Sequence, residues 1–142
     1  MLLPAPPRAV AHGYDEPFAV SVRTYGLEEI CAEKLRSTRQ THAVLAARGW
    51  ARSRARDYYD LWHLVRAGRE TIDWSSVAAI LPAKCAHRGV DLRTVGDAFE
   101  AQLLEEVRAT WQRTLGPFVR ELPAVNRVLS ETREDLEALL RL

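Results

Sequence analysis

The chain has 142 residues, 47% of them hydrophobic and 27% charged, which is about one ordinary globular domain and argues against wholesale disorder. The formal net charge of +1 creates no global field towards nucleic acid or membrane, so any nucleic-acid site has to be a local patch. No stretch approaches the roughly 18 apolar residues of a membrane span, and MLLPAPPRAV lacks a basic start followed by a long apolar run, so it does not read as a signal peptide. Cys31 and Cys85 have no CxxC spacing and fit free thiols in a reducing compartment. The cytoplasm is the expected location.

Residues 1–17 carry four prolines and a glycine and read as loop or extended chain. From Phe18 to Thr24 the chain alternates, with Phe18, Val20 and Val22 on one side and Ala19, Ser21 and Arg23 on the other, the period of a half-buried strand. A lone strand needs neighbours for its backbone donors and acceptors, and no second strand is legible. The strand is therefore expected to dock on the helices at one edge or to belong to a sheet encoded elsewhere.

Gly26 opens a helix predicted over 27–48, with Glu28 and Glu29 in its first turn and Gly49 as its stop. Leu27, Ile30, Cys31 and Leu35 make its apolar stripe. A second helix spans 55–67, with Tyr58, Leu61, Trp62 and Val65 inside and Gly68 at its end. Asp73 caps a third, 74–87, which Pro82 is expected to interrupt. Asp91 or Thr94 caps a fourth running to about Leu115, with Phe99, Leu103, Leu104, Val107 and Trp111 buried. Gly116-Pro117 breaks it. The last helix starts near Pro123, placed in its first turn, and buries Val125, Val128, Leu129, Leu136, Leu139 and Leu140. The fold class is mainly α with a small β element. Two units are expected: a lead with an orphan strand over 1–26 and a helical domain over 27–142.

Two segments set charge beside an apolar stripe, where charge is costly unless paired or used. They are Leu27-Glu28-Glu29-Ile30-Cys31-Ala32-Glu33-Lys34-Leu35 and Arg54-Ala55-Arg56-Asp57-Tyr58-Tyr59-Asp60-Leu61-Trp62. Glu29 and Glu33 lie one turn apart with Lys34 beside them. Asp57 and Asp60, at i and i+3, point the same way. If the two helices pack antiparallel, Lys34 and the Arg-Asp pair meet at one end. A lysine there could grip a triphosphate, with a carboxylate beside it to orient the lysine or share a metal. Structural ion pairs are the commoner use of such residues and stand as the other reading.

The order strand, L-E-E-I-x-A-E-K-L, variable stretch, R-D-x-Y-D-L-W resembles the second half of the AbiEii/AbiGii nucleotidyltransferase toxin family, closely over residues 18–66 and loosely beyond, where Trp111 and Leu122-Pro123 fit its helical end. The resemblance implies the helical C-terminal portion of an α+β nucleotidyltransferase-like fold. It makes Lys34 and Asp57 the catalytic-site residues, with Lys34 and Arg56 towards the nucleotide and Glu29, Glu33 and Asp60 in support. It implies nucleotide transfer from an NTP with Mg²⁺ to an RNA, including tRNA, or protein acceptor. It also implies a cognate antitoxin encoded nearby, in a type IV toxin–antitoxin or abortive-infection phage-defence pair.

The family's metal centre comes from a Gly-Gly or Gly-Ser step followed by Asp-x-Asp on a strand, and neither occurs in this sequence. Asp15 and Glu16, adjacent in extended chain, face opposite ways and cannot replace them. The expectation is a truncated chain inactive alone, a lobe supplied by a separate chain, or a relative that kept the fold without the chemistry. Two other functions stay open. One is a non-enzymatic helical module that binds a partner chain or the antitoxin. The other is an RNA-binding domain that uses Arg36, Arg39, Arg48, Arg52, Arg54 and Arg56 near the first helix–helix junction, with Trp50 among them. His12, His42, His63 and His87 lack metal spacing.

Overall fold

The computed structural model describes residues 7–9 and 21–142. It is mainly helical: β1 (Pro7–Ala9), β2 (Ser21–Arg23), α1 (Leu27–Arg48), α2 (Ala55–Gly68), α3 (Trp74–His87), a 3-10 turn (Val95–Ala98), α4 (Ala101–Leu115) and α5 (Val125–Leu139). Among the described residues no helix is long and apolar enough to cross a membrane.

The strand expected at 18–24 is present as β2; residues 18–20 lie outside the described residues. It is not an orphan. β1 pairs with it antiparallel, Pro7 opposite Arg23, Arg8 opposite Val22 and Ala9 opposite Ser21. Three residues are too few to show an alternation, and Pro7 disguises the strand. Its missing N–H is tolerated at the first residue of a strand.

α1 ends where expected. Gly49 takes φ +74° and its N–H bonds Leu45 O at 2.8 Å, a left-handed stop that glycine adopts without steric cost. Its buried face differs from the expected stripe. Cys31 and Leu35 are buried, but Ile30 is only half-buried and Leu27 is exposed. The polar residues Glu29, Arg36, Thr38 and Thr41 are buried instead. α1 is thus the helix whose inner face must satisfy charge.

α2 buries Tyr58, Leu61 and Val65. Trp62 is only half-buried, since its indole N–H reaches Glu131 Oε2 at 2.7 Å near the surface. Tyr58 is fully enclosed: its hydroxyl donates to Ala98 O and its ring meets Phe99 edge-on at 5.4 Å. α2 thereby packs on α5, α4 and α1 and joins them in one core.

α3 begins at Asp73, whose carboxylate accepts from the backbone N–H groups of Ser75 and Ser76 and from both hydroxyls. Pro82 does not interrupt it: the helix runs through to His87, with the proline exposed. The fourth expected helix is two elements. Thr94 caps the 3-10 turn, and Asp97 turns back to accept from the N–H groups of Arg93 and Thr94, both at 2.8 Å. That local bonding holds the chain out of the α conformation until Ala101, so Phe99 is buried outside α4. α5 starts at Val125, with Pro123 just ahead of the first turn, where its carbonyl accepts from Trp111 Nε1 at 3.0 Å.

The Asp73 carboxyl is held down to about 2, first by the hydroxyls of Ser75 and Ser76 and then by the backbone N–H of Ser76. A lowered carboxyl pKa stabilises the fold above the ordinary value near 3.8, and that contribution disappears as pH falls through about 2. Asp73→Ala is therefore expected to lower the thermal midpoint at neutral pH. The two proteins should converge in acid scans below that window, which calorimetry across pH can check.

Candidate functional site

Lys34 sits on the α1 face towards α2. Its ammonium donates to Asp57 Oδ1 at 3.1 Å and to Asp60 Oδ2 at 2.6 Å. Arg54, one residue before α2, donates from Nη1 to Asp57 Oδ2 at 3.1 Å and from Nε to Thr41 Oγ1 at 2.6 Å. Asp57 is thus gripped on both oxygens and largely enclosed, while Asp60 is 48% exposed. Burial alone would lower the Lys34 pKa. The hydrogen bond that the ammonium donates to Asp60 and the charge of Asp57 outweigh it and hold the Lys34 pKa above its usual value.

Beside this cluster an open cleft of about 920 Å³ lies along α1 and α3, bounded by Tyr25 and Arg54. On its α3 wall Lys84 Nζ lies 3.0 Å from Glu29 Oε1 and 3.5 Å from Glu33 Oε2. Glu29 is only 2% exposed, and its Oε1 has the ion-pair distance without the alignment of a hydrogen bond. Glu33 also receives the Arg36 guanidinium, Nη2 to Oε1 at 2.5 Å. Burial alone would raise the Glu33 carboxyl. The Arg36 hydrogen bond and the charges of Arg36 and Lys84 bring it below the usual range. The lining holds the cations Lys34, Arg36, Arg54, Lys84 and Arg88 against Glu29, Glu33 and Asp57, an excess of positive charge suited to an anion.

A family model described as nucleotidyl transferase AbiEii toxin, type IV toxin–antitoxin system, matches residues 1–141. The chain belongs to the AbiEii family. The match takes in the helical end beyond residue 66 as well as the two motif segments. No curated protein and no solved structure matches the chain.

The two segments that carry the AbiEii resemblance come together: Lys34, Asp57 and Asp60 form one cluster. Arg56 is not in it. Its side chain is exposed, with the guanidinium 4.9 Å from the Phe118 ring centroid, and the place expected for it beside Asp57 is taken by Arg54. Asp60 holds Lys34 and not Arg56. The arginines do not form one patch either. Arg36 and Arg54 are turned into the cleft, and Arg39 is spent on Asp91 O at 2.8 Å and His42 Nδ1 at 2.9 Å. Arg48 and Arg52 remain exposed. The sequence reading missed Lys84 and Arg88. Lys84 lies 50 positions from Lys34 in the chain. Its one signal was a lone lysine on α3, at the helix end where the dipole welcomes cations.

AbiEii chemistry implies Mg²⁺. Among the described residues no group of three or more His, Cys, Asp or Glu side chains converges to hold a metal. Both oxygens of Asp57 and one of Asp60 already accept from Lys34 or Arg54. A hard divalent cation needs several carboxylate oxygens of its own, and Asp57 and Asp60 leave one between them, on Asp60.

Proposed function

We propose that the α1–α3 cleft holds the phosphates of a nucleoside triphosphate, and that the helical unit 27–142 is the nucleotide-gripping part of an AbiEii-type nucleotidyltransferase. The observation that carries this reading is Lys34, held at the cleft by Asp57 and Asp60 among further cations. Asp60, the more exposed partner, gives way to a phosphate oxygen, and Asp57, fixed by Arg54, keeps the lysine in place. Lys84 and Arg88 add charge along the polyphosphate. Transfer of the nucleotide to an RNA hydroxyl, tRNA included, or to a protein hydroxyl forms a new phosphoester and releases pyrophosphate. The carboxylates that hold Mg²⁺ for that step are not among Asp57, Asp60, Glu29 and Glu33, so residues 1–142 by themselves bind nucleotide without transferring it, and a lobe outside them, on a separate chain or otherwise, completes the site. A cognate antitoxin is the expected partner.

A second reading, a non-enzymatic module that docks a partner chain through this cleft, is favoured by Tyr25, which lines it 66% exposed just ahead of α1. Calorimetric titration with ATP separates the two. Lys34→Ala is expected to weaken ATP roughly 10- to 100-fold, the effect of losing one hydrogen bond to a charged group, while Arg48→Gln, outside the cleft, leaves it unchanged. Equal ATP affinity in Lys34→Ala and the parent would remove the nucleotide reading.

A further inference from the structure

Nine arginines make ion pairs or side-chain hydrogen bonds among the described residues, among them Arg66 with Glu131, Arg69 with Asp135, Arg93 with Asp91, Arg127 with Glu131 and Arg133 with Glu137. Arg48, Arg88 and Arg141 are exposed with no such partner among the described residues, and so is a group of four at one end of the molecule. Arg52, Arg56, Arg113 and Arg120 are all exposed, and none makes an ion pair or side-chain hydrogen bond with another described residue. The same end presents the two most exposed large hydrophobic side chains among the described residues, Trp50 at 68% and Phe118 at 73%.

Contacts draw these residues together from three segments. The Arg56 guanidinium lies over the Phe118 ring. Ser53 Oγ meets Thr110 Oγ1 at 2.6 Å, which fixes the 49–54 connection against α4, and Arg113 lies one turn beyond Thr110 on that helix. The turn after α4, closed by Phe118 N–H and Val119 N–H on Leu115 O, brings Arg120 two residues past Phe118. Two carboxylates adjoin these arginines in sequence: Asp57, which Lys34 and Arg54 hold, and Glu121, which is exposed.

We infer that this face binds single-stranded RNA, with Trp50 and Phe118 stacking on bases and Arg52, Arg56, Arg113 and Arg120 on the phosphates. Exposed rings among unengaged guanidinia are what a single strand offers partners for: every base has a face to stack, and the backbone supplies charge at regular intervals. An acidic protein surface would match the arginines but offers the two rings no flat partner repeated along its length. A duplex hides its base faces from them. The site does not rest on nucleotide binding in the cleft. It abuts that cleft, because Arg56 and Asp57 are consecutive in the first turn of α2.

The test is fluorescence anisotropy of the full chain with labelled oligouridylate of about a dozen nucleotides, over a range of salt. Trp50→Ala and Phe118→Ala are each expected to weaken binding about fivefold or more. Replacing Arg52, Arg56 and Arg120 by glutamine is expected to flatten the slope of log affinity against log salt by about 2, at about 0.7 per phosphate contact. All of these side chains are exposed, so thermal midpoints should not move and folding cannot account for the losses. Two results overturn the inference. One is no binding of oligouridylate by the parent at low salt, as expected if the face takes an acidic protein. The other is binding that both aromatic variants leave intact. Lys34→Ala, run alongside, should leave RNA affinity unchanged; a loss there with the aromatic variants silent moves the RNA into the cleft and overturns this site as well.

Discussion

Lys84→Met is expected to lower the unfolding free energy by about 3 kcal/mol at neutral pH, measured by urea denaturation. Glu29 is 2% exposed and faces Lys84 at 3.0 Å, with the lysine side chain itself only 11% exposed. Removing the cation leaves a carboxylate without charge compensation in a place water scarcely reaches, and breaking such a pair typically costs about 3–5 kcal/mol. The lower figure applies because Glu29 Oε1 lacks a well-aligned hydrogen bond. The double variant Glu29→Gln with Lys84→Met should recover most of the loss, since both charges then leave together. A single variant within about 0.5 kcal/mol of the parent, the range of ordinary surface changes, would mean that the Glu29 carboxylate is reached by water.

Tyr58→Ala should cost more, about 3–5 kcal/mol, the range for an enclosed aromatic reduced to alanine. Tyr58 is 0% exposed and joins α2 to the 3-10 turn through Ala98 O and the Phe99 ring. Tyr58→Phe separates the two contributions. It keeps the packing and strips the hydroxyl, which leaves the Ala98 carbonyl short of a partner at a cost of about 1–3 kcal/mol. If phenylalanine destabilises as much as alanine, the hydroxyl and not the ring holds the 3-10 turn. Paired urea titrations of the two variants decide this.

The elements were legible where one residue dictates the backbone. Gly49 ended α1 and Asp73 opened α3, each through chemistry contained in a few neighbouring positions. Where two local rules compete, the sequence misled. Phe99 fits the apolar spacing of α4, but the turn-back of Asp97 onto Arg93 and Thr94 claims the preceding residues. Pro82 breaks helices in general, yet on an exposed face its ring meets solvent and the neighbouring turns carry the helix past it. β1 is too short to have a period.

At the site, the meeting of Lys34 with Asp57 and Asp60 was legible because two charged segments on amphipathic helices had to compensate each other. Choosing between Arg54 and Arg56 was not. Both flank Asp57 within one turn, and the outcome depends on Thr41 on α1, which accepts from Arg54. Glu29 was singled out without a role. Its partner Lys84 comes from a helix whose docking on α1 no short-range pattern reports.

That docking has one more consequence. α1 and α3 each bury a free thiol, Cys31 and Cys85. Burial first, and then the neighbouring charge of Glu28, push the Cys31 thiol up to about 12, so the reactive thiolate is scarce while the helices stay together. Each thiol is released to an alkylating reagent when the core around its helix opens. The chain therefore carries a clock in the core behind each helix that bounds its cleft: the rate of adduct formation counts how often that packing opens, and slower labelling under a candidate ligand marks a molecule that holds it closed.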